Sequence, residues 1–350
     1  MNIDHATKLD FSDVLLLPQR SQISSRSEID LQSDFFDTKA IPIIAANMDG
    51  VGTFAMAKEL AKHGIMTALV KHYTLDELWE FYNENPEVAP YAIYSMGTSG
   101  KDLHKFSQFY NTQRDTGITG PTAICVDVAN GYTRQFEDFC GYFSNKYPEF
   151  VLIAGNIVTP DQTDRLIECG VDVVKIGIGP GSVCTTRTMT GVGYPQLSAV
   201  IECSAAARDA GGMIISDGGC TCPGDIAKAF AAGANMVMLG GMLAGHNEGG
   251  QVQFGELRPD IANNFPKTIK FSGMASKAMQ DKYNGGIADY RSSEGKTVDV
   301  PYRGKVEDTI THILGGLRSA ASYIGAESID EFHRRGKFIR VNRQGNGVFS

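Results

Sequence analysis

Short apolar runs alternate with polar, helix-spaced segments along most of the chain. The runs are IPIIAANM (41–48), MTALV (66–70), YAIYSMG (91–97), AICVDV (123–128), VLIAGN (151–156), VVKIGIG (173–179), GMIISDGG (212–219) and MVMLGG (236–241). Runs apolar on both faces fit strands of a parallel sheet, buried above and below. Between them lie amphipathic stretches such as DQTDRLIEC (161–169) and GDIAKAFA (224–231), with apolar residues at helical spacing behind polar starts. Eight βα repeats with right-handed crossovers predict an α/β fold, a closed (β/α)8 TIM barrel.

Polar residues and glycines collect where these strands end: Asn47 and Asp49, Asp127 and Asn130, Asn156, Ser182 to Arg187, Asp217 to Gly219, Gly240 and Gly241. An ordinary turn explains any one of these clusters, but not all six at the carboxyl ends where barrels build their sites. A long connection follows the eighth run, about 242–301, with FSGMASKAM (271–279) and DYRSSEGKT (289–297). Its length and residues predict an element that covers the site. The helical pattern 306–323 then completes the barrel, and 336–350 is a C-terminal extension.

Composition bounds the chemistry. With 350 residues and 42% hydrophobic content, one globular domain spanning 1–350 is expected. The net charge of −8 and the lack of a basic run argue against nucleic acid as a partner. No apolar stretch reaches the roughly 18 residues of a bilayer span, and the start lacks a signal pattern, so no membrane and a cytoplasmic location are expected. Seven scattered cysteines suggest reduced thiols.

Cys184 is the candidate nucleophile. It stands in GIGPGSVCTTR (177–187), where glycines let a ligand approach the backbone and Thr185 and Thr186 offer hydroxyls beside the sulfur. Cys125, Cys140, Cys169 and Cys203 read as buried apolar residues. Cys220 and Cys222 lack the further ligands of a zinc set, and His72 reads as a bystander. The turns DGG (217–219) and GG (240–241) sit where barrels bind phosphate. GKT (295–297) resembles the end of a P-loop, but Tyr290 replaces its first glycine, and no G-x-G-x-x-G occurs.

The segments GIGPGSVCTTRT, TGVGYPQLSAV, SDGGC and MLGGM resemble the IMP dehydrogenase and GMP reductase superfamily. Within it, NMDGVGTF (47–54), KHYT (71–74), DVANGY (127–132), YRSSEGKTV (290–298) and ILGGLRS (313–319) are similar to the reductase branch. The resemblance implies a cytoplasmic homotetramer that converts GMP to IMP and ammonia with NADPH, through a covalent thioimidate on Cys184. Thr186 and Glu294 match its proton-transfer pair. Ser182, Asp217, Gly218, Gly219, Gly240 and Gly241 match ribose and phosphate contacts. Gly273, Met274, Ala275, Arg291, Ser292, Ser293 and Gly295 match positions around the base. On the cofactor side the matches are Lys71, Asp127, Val128, Ala129, Ile178, Gly179 and Tyr290, with Ser25, Arg26, Ser319, Ala320, Ala321 and Ser322 lent by a neighbouring subunit. Gly179, Gly181 and Cys184, with Arg187 close by, match a potassium site.

The sequence departs from the family pattern at Gly50 and Ala275, where threonine and serine are usual, and near Ala321, where a cysteine is usual. Two other readings compete: an IMP dehydrogenase without its regulatory insertion, and a non-catalytic purine nucleotide sensor. The dehydrogenase needs an insertion after the second helix and a flap bearing an Arg-Tyr pair. Neither is expected here, because the second helix runs on to Tyr91 and only Gln280–Ser292 is available for a flap. A sensor would not need Cys184, Thr186 and Glu294 together.

Overall fold

The computed structural model describes residues 3–251 and 268–342. Eight parallel strands close on themselves: β1 (Thr38–Ala45), β2 (Ile65–Ala68), β3 (Ala92–Met96), β4 (Ala123–Asp127), β5 (Val151–Ile157), β6 (Val173–Ile176), β7 (Met213–Asp217) and β8 (Met236–Leu239). Closure is made by β8 against β1, with Val237 opposite Ile43 and Leu239 opposite Ala45. Each strand leads to a helix: α1 (Phe54–Ala61), α2 (Leu75–Glu84), α3 (Gly100–Thr116), α4 (Arg134–Lys146), α5 (Pro160–Glu168), α6 (Gln196–Asp209), α7 (Pro223–Ala231) and α8 (Val306–Ile324). This is the (β/α)8 barrel predicted from the alternation.

The helix starts are written locally. Thr53, Thr74, Ser99 and Thr133 each accept a backbone N–H of the first turn, and Glu77 completes a capping box with Thr74. Glycines in the left-handed region, Gly117 and Gly325, end α3 and α8. Ile43, Ile44, Val126, Ile153, Val173 and Ile215 are fully enclosed, each burial contributing about 1.5–3 kcal/mol before entropy.

The strands are shorter than the apolar runs, because glycines in the runs already belong to the loops. Gly177 (φ +152°) follows the last residue of β6, and Gly218 (φ +90°) follows that of β7. The connection after β8 carries its own structure. Thr268–Ser272 pairs antiparallel with Thr297–Pro301, and the helix Lys277–Asn284 lies between them. Residues 252–267 of the predicted covering element and 343–350 of the C-terminal extension lie outside the described residues. Of that extension, Phe338–Arg340 forms a strand against Val14–Leu16. Among the described residues no helix is long and apolar enough to cross a membrane.

Candidate active site

The loop after β6 and the connection after β8 meet over the carboxyl ends of the strands. Lys296 N–H donates to Val183 O at 2.9 Å, and Thr185 N–H donates to Glu294 O at 2.9 Å. Gly295 forms backbone bridges with Cys184 and with Ser276. These bonds bring Glu294 to the cysteine loop, 108 residues on from Thr186. The Cys184 thiol donates to Thr186 Oγ1 at 3.2 Å, and Thr186 Oγ1–H donates to Glu294 Oε2 at 2.9 Å. The Gly295–Thr297 run is thus spent on pairing and on the second strand of the hairpin, not on a phosphate loop.

The glycine turns approach the same loop. A Cβ at Gly241 would stand 2.7 Å from Ser182 Oγ, one at Gly218 would stand 3.0 Å from the Pro180 ring, and one at Gly273 would stand 2.9 Å from Val183 O. Absence of side chains there is what lets the turns after β7 and β8 close around Ser182 and Cys184. Gly177 is tighter still, since a Cβ would lie 2.1 Å from Asp217 O at φ +152°. Gly177→Ala is therefore expected to cost about 1–3 kcal/mol from backbone strain alone, lowering Tm and weakening nucleotide binding by displacing Asp217. Unchanged Tm and GMP affinity in that variant would contradict the close approach.

Burial separates the cysteines. Burial pushes the thiols of Cys125, Cys140 and Cys203 up to about 12, and raises Cys169 and Cys220 as well, which keeps them protonated at neutral pH. Cys184 is only half-buried, at the mouth. Among the described residues no three His, Cys, Asp or Glu side chains are grouped to hold a metal.

Asp127 closes β4, and Val128 is held by bonds to Gly155 O and from Asn156 N–H. Burial opposes ionisation of Asp127, yet the neighbouring Lys175 ammonium outweighs it and holds the carboxyl below its ordinary range, with Lys71 and Asn47 helping. Ala129 is exposed beside it, and Ile178 is buried under the cysteine loop. Arg187 lies against Gly179 and Gly193, its guanidinium donating to Tyr194 O at 2.6 Å and to Asp10 at 3.4 Å.

Other candidates stand apart from this cluster. Tyr290, Arg291 and Ser292 are exposed on the loop before Glu294, with the Arg291 guanidinium over the Tyr290 ring. Ser293 Oγ donates to Gly295 O and to the Ala275 carbonyl, so the main chain of Ala275 is already engaged. Gly240 touches Met48, and Met274 Sδ accepts from Asp49 N–H at 3.3 Å. Gly219 backs onto Gln196. Ser25 and Arg26 sit on an exposed turn against α8, which also carries Ser319, Ala320, Ala321 and Ser322. Ala321 is fully buried within its own chain. Gly50 has φ +77°, and the Gln251 side chain fills the space its Cβ would take, which suits glycine at this position.

Three arrangements were not read from the sequence, although it names Asn156, Asp49 and His72 individually. Lys175 bridges Asp127 and Asp217, and Asn156 Nδ2 donates to the same Asp217 oxygen. The third is a latch that docks the helix Lys277–Asn284. Lys282 and the Tyr283 hydroxyl bind Asp49, while Tyr283 stacks on His72 at 3.8 Å. His72 is thus a structural neighbour, its pKa lowered by burial and then by Lys71 and Lys105.

A barrel that gathers a cysteine loop after β6 and glycine turns after β7 and β8 at the strand carboxyl ends has the layout of a barrel enzyme's site. Residues 8–83 and 95–347 match the IMP dehydrogenase / GMP reductase domain, and the chain belongs to that family. It is 51% identical to GMP reductase 2 of Bos taurus over 355 residues, covering 100% of this chain and 99% of the relative. GMP reductase 1 of Mus musculus is 50% identical over 354 residues, with 99% of each chain covered. GMP reductase of Aliivibrio fischeri is 49% identical over 356 residues, covering 100% of this chain and 99% of the relative.

Proposed function

We propose that this chain reduces GMP to IMP and ammonia with NADPH, as a single-domain cytoplasmic homotetramer. The observation that carries the reading is the line from Cys184 through Thr186 to Glu294, at 3.2 and 2.9 Å. The names of its relatives support the same reaction.

Each donor in the line points the same way. As Thr186 passes its hydroxyl proton to Glu294 and takes the thiol proton, Cys184 becomes a thiolate and Glu294 an acid. The sulfur adds to purine carbon 2, forming the S–C bond while the C2=N3 π pair moves onto N3, to re-form the double bond when the amine departs. An amine leaves readily only when protonated, so the proton stored on Glu294 returns to the departing group, and the C–N bond breaks to release ammonia. A nicotinamide cofactor, when bound, supplies the hydride that carbon 2 requires. Breaking the S–C bond then returns the electron pair to Cys184 and frees IMP.

Ser182 with Gly218, Gly219, Gly240 and Gly241 would hold the phosphate through hydroxyl and backbone N–H groups, and Asp217 would accept from the ribose hydroxyls. Gly273, Met274, Ala275, Arg291, Ser292, Ser293 and Gly295 would surround the base. A nicotinamide would sit beside Lys71, Asp127, Val128 and Ala129, with Ile178 and Gly179 contributing from the loop after β6. Tyr290, 86% exposed, is available to the rest of the cofactor, and Ser25, Arg26, Ser319, Ala320 and Ser322 would serve a neighbouring subunit's cofactor, whereas the buried Ala321 cannot reach it. The carbonyls of Gly179, Gly181 and Cys184 would supply oxygen ligands of the kind that replace potassium's water shell. Arg187 would brace that loop through Asp10 and Tyr194.

The α2–β3 connection holds only Asn85–Tyr91, which supports a chain without an inserted regulatory domain. Incubating the purified protein with GMP and NADPH, while following cofactor absorbance and ammonia, tests the reading directly. A second assay separates the dehydrogenase alternative. Oxidation to xanthosine monophosphate needs a group that activates water after the cofactor leaves, and the loop 285–292 is too short to fold over that space and return. IMP with NAD or NADP should give negligible xanthosine monophosphate. Sustained formation at a rate near that of GMP reduction would overturn the reductase assignment.

A further inference from the structure

Lys175 is a charged residue in the wall of the barrel. Its neighbours in β6, Val173, Val174 and Ile176, are each 0% exposed, and Lys175 itself is 2% exposed. Placing an ammonium there carries a desolvation cost of several kcal/mol unless it is well paired. It is paired twice: Nζ lies 2.6 Å from Asp127 Oδ1 at the end of β4 and 2.7 Å from Asp217 Oδ2 at the end of β7. One ammonium therefore ties together the ends of three strands. Asn156 of β5 supports the arrangement, donating to Asp217 Oδ2 at 2.9 Å and to Gly177 O at 2.7 Å. Room for the lysine comes from Gly155, whose Cβ would stand 2.6 Å from Lys175 Cβ.

The division of oxygens on Asp217 matters. Oδ2 receives both Lys175 and Asn156, while Oδ1 has no protein partner among the described residues, and the side chain is 20% exposed. One oxygen is anchored and the other is left for a ligand hydroxyl. At Asp127 the ammonium anchors Oδ1 in the same manner, on the side of Lys71.

We infer that Lys175 is a positioning residue that fixes the Asp217 and Asp127 carboxylates on one ammonium, so that a single side chain sets the affinity for both purine nucleotide and cofactor. This rests on the reading of Asp217 as the ribose acceptor and Asp127 as a cofactor-side group. A residue serving one ligand would affect one Michaelis constant. A residue that only stabilises the barrel would lower Tm and active fraction while leaving both constants alone.

The test compares Lys175→Met with the unaltered full-length protein in steady-state reduction of GMP by NADPH. Both KM values should rise on the order of tenfold or more, and each rise should exceed the fall in kcat. A change confined to one KM, or a fall in kcat with both KM values unchanged, would overturn the inference. Because Lys175→Met leaves two carboxylates without their counter-charge, a second comparison guards against misfolding. Asp127→Asn with Lys175→Met removes one carboxylate along with the ammonium, and its GMP Kd is measured by calorimetry against Asp127→Asn alone. About tenfold weaker GMP binding in the double variant is expected, because Asp217 loses its anchor; equal Kd values would refute the inference. If the unaltered protein binds GMP but does not consume NADPH, the functional reading fails, while the calorimetric comparison still decides whether Lys175 holds Asp217.

Discussion

Replacing Cys184 by alanine is expected to abolish GMP reduction, with a loss on the order of 10⁴ or more in kcat, while GMP binding stays measurable. The expectation follows from the separation of tasks in the site. Ser182, the Gly218 turn and the Gly241 turn are the proposed phosphate contacts, and among the described residues the sulfur is bonded to Thr186 alone. Removing the sulfur therefore takes away the covalent step and leaves the binding groups in place. Calorimetry with GMP and a stopped assay for ammonia check the two halves. Ammonia release at the unaltered rate would eliminate the covalent mechanism, and loss of GMP binding with an intact fold would show that the sulfur also organises the pocket.

Glu294→Gln is expected to slow reduction on the order of 10²–10⁴-fold. Glutamine preserves the shape and can still accept from Thr186 Oγ1, but it cannot store the thiol proton or return it to the amine. The deamination half should carry the loss. Exchange of hydride between IMP and oxidised cofactor, which breaks no C–N bond, should be affected less. A loss under about threefold, or an equal loss in both partial reactions, would contradict a proton-transfer role.

The barrel was legible because each strand carries a mostly apolar stretch that is buried in the core. β6 and β7 end earlier than their runs because Gly177 and Gly218, which read as strand in an apolar context, have positive φ. The cysteine loop and the glycine turns were legible as chemistry from composition alone, whereas the specific pairing of Thr186 with Glu294 came from family likeness. Lys175 was not legible. A single lysine in VVKIGIG carries no local signal, and one of its two partners lies 42 residues onward. The pairing of Thr268–Ser272 with Thr297–Pro301 was hidden for a related reason, since the helix Lys277–Asn284 and the loop to Glu294 separate the two strands and no tight turn joins them.

The distance in sequence between Thr186 and Glu294, 108 residues, has a bearing on how the protein is made. Synthesis delivers Cys184 and Thr186 long before the glutamate that completes their proton path. Until the connection 268–301 has been synthesised and has docked on Val183 and Thr185, Thr186 has no carboxylate to take its proton. The growing chain thus carries Cys184 and Thr186 without their carboxylate, and the complete proton path exists only once the connection 268–301 has packed against the loop after β6.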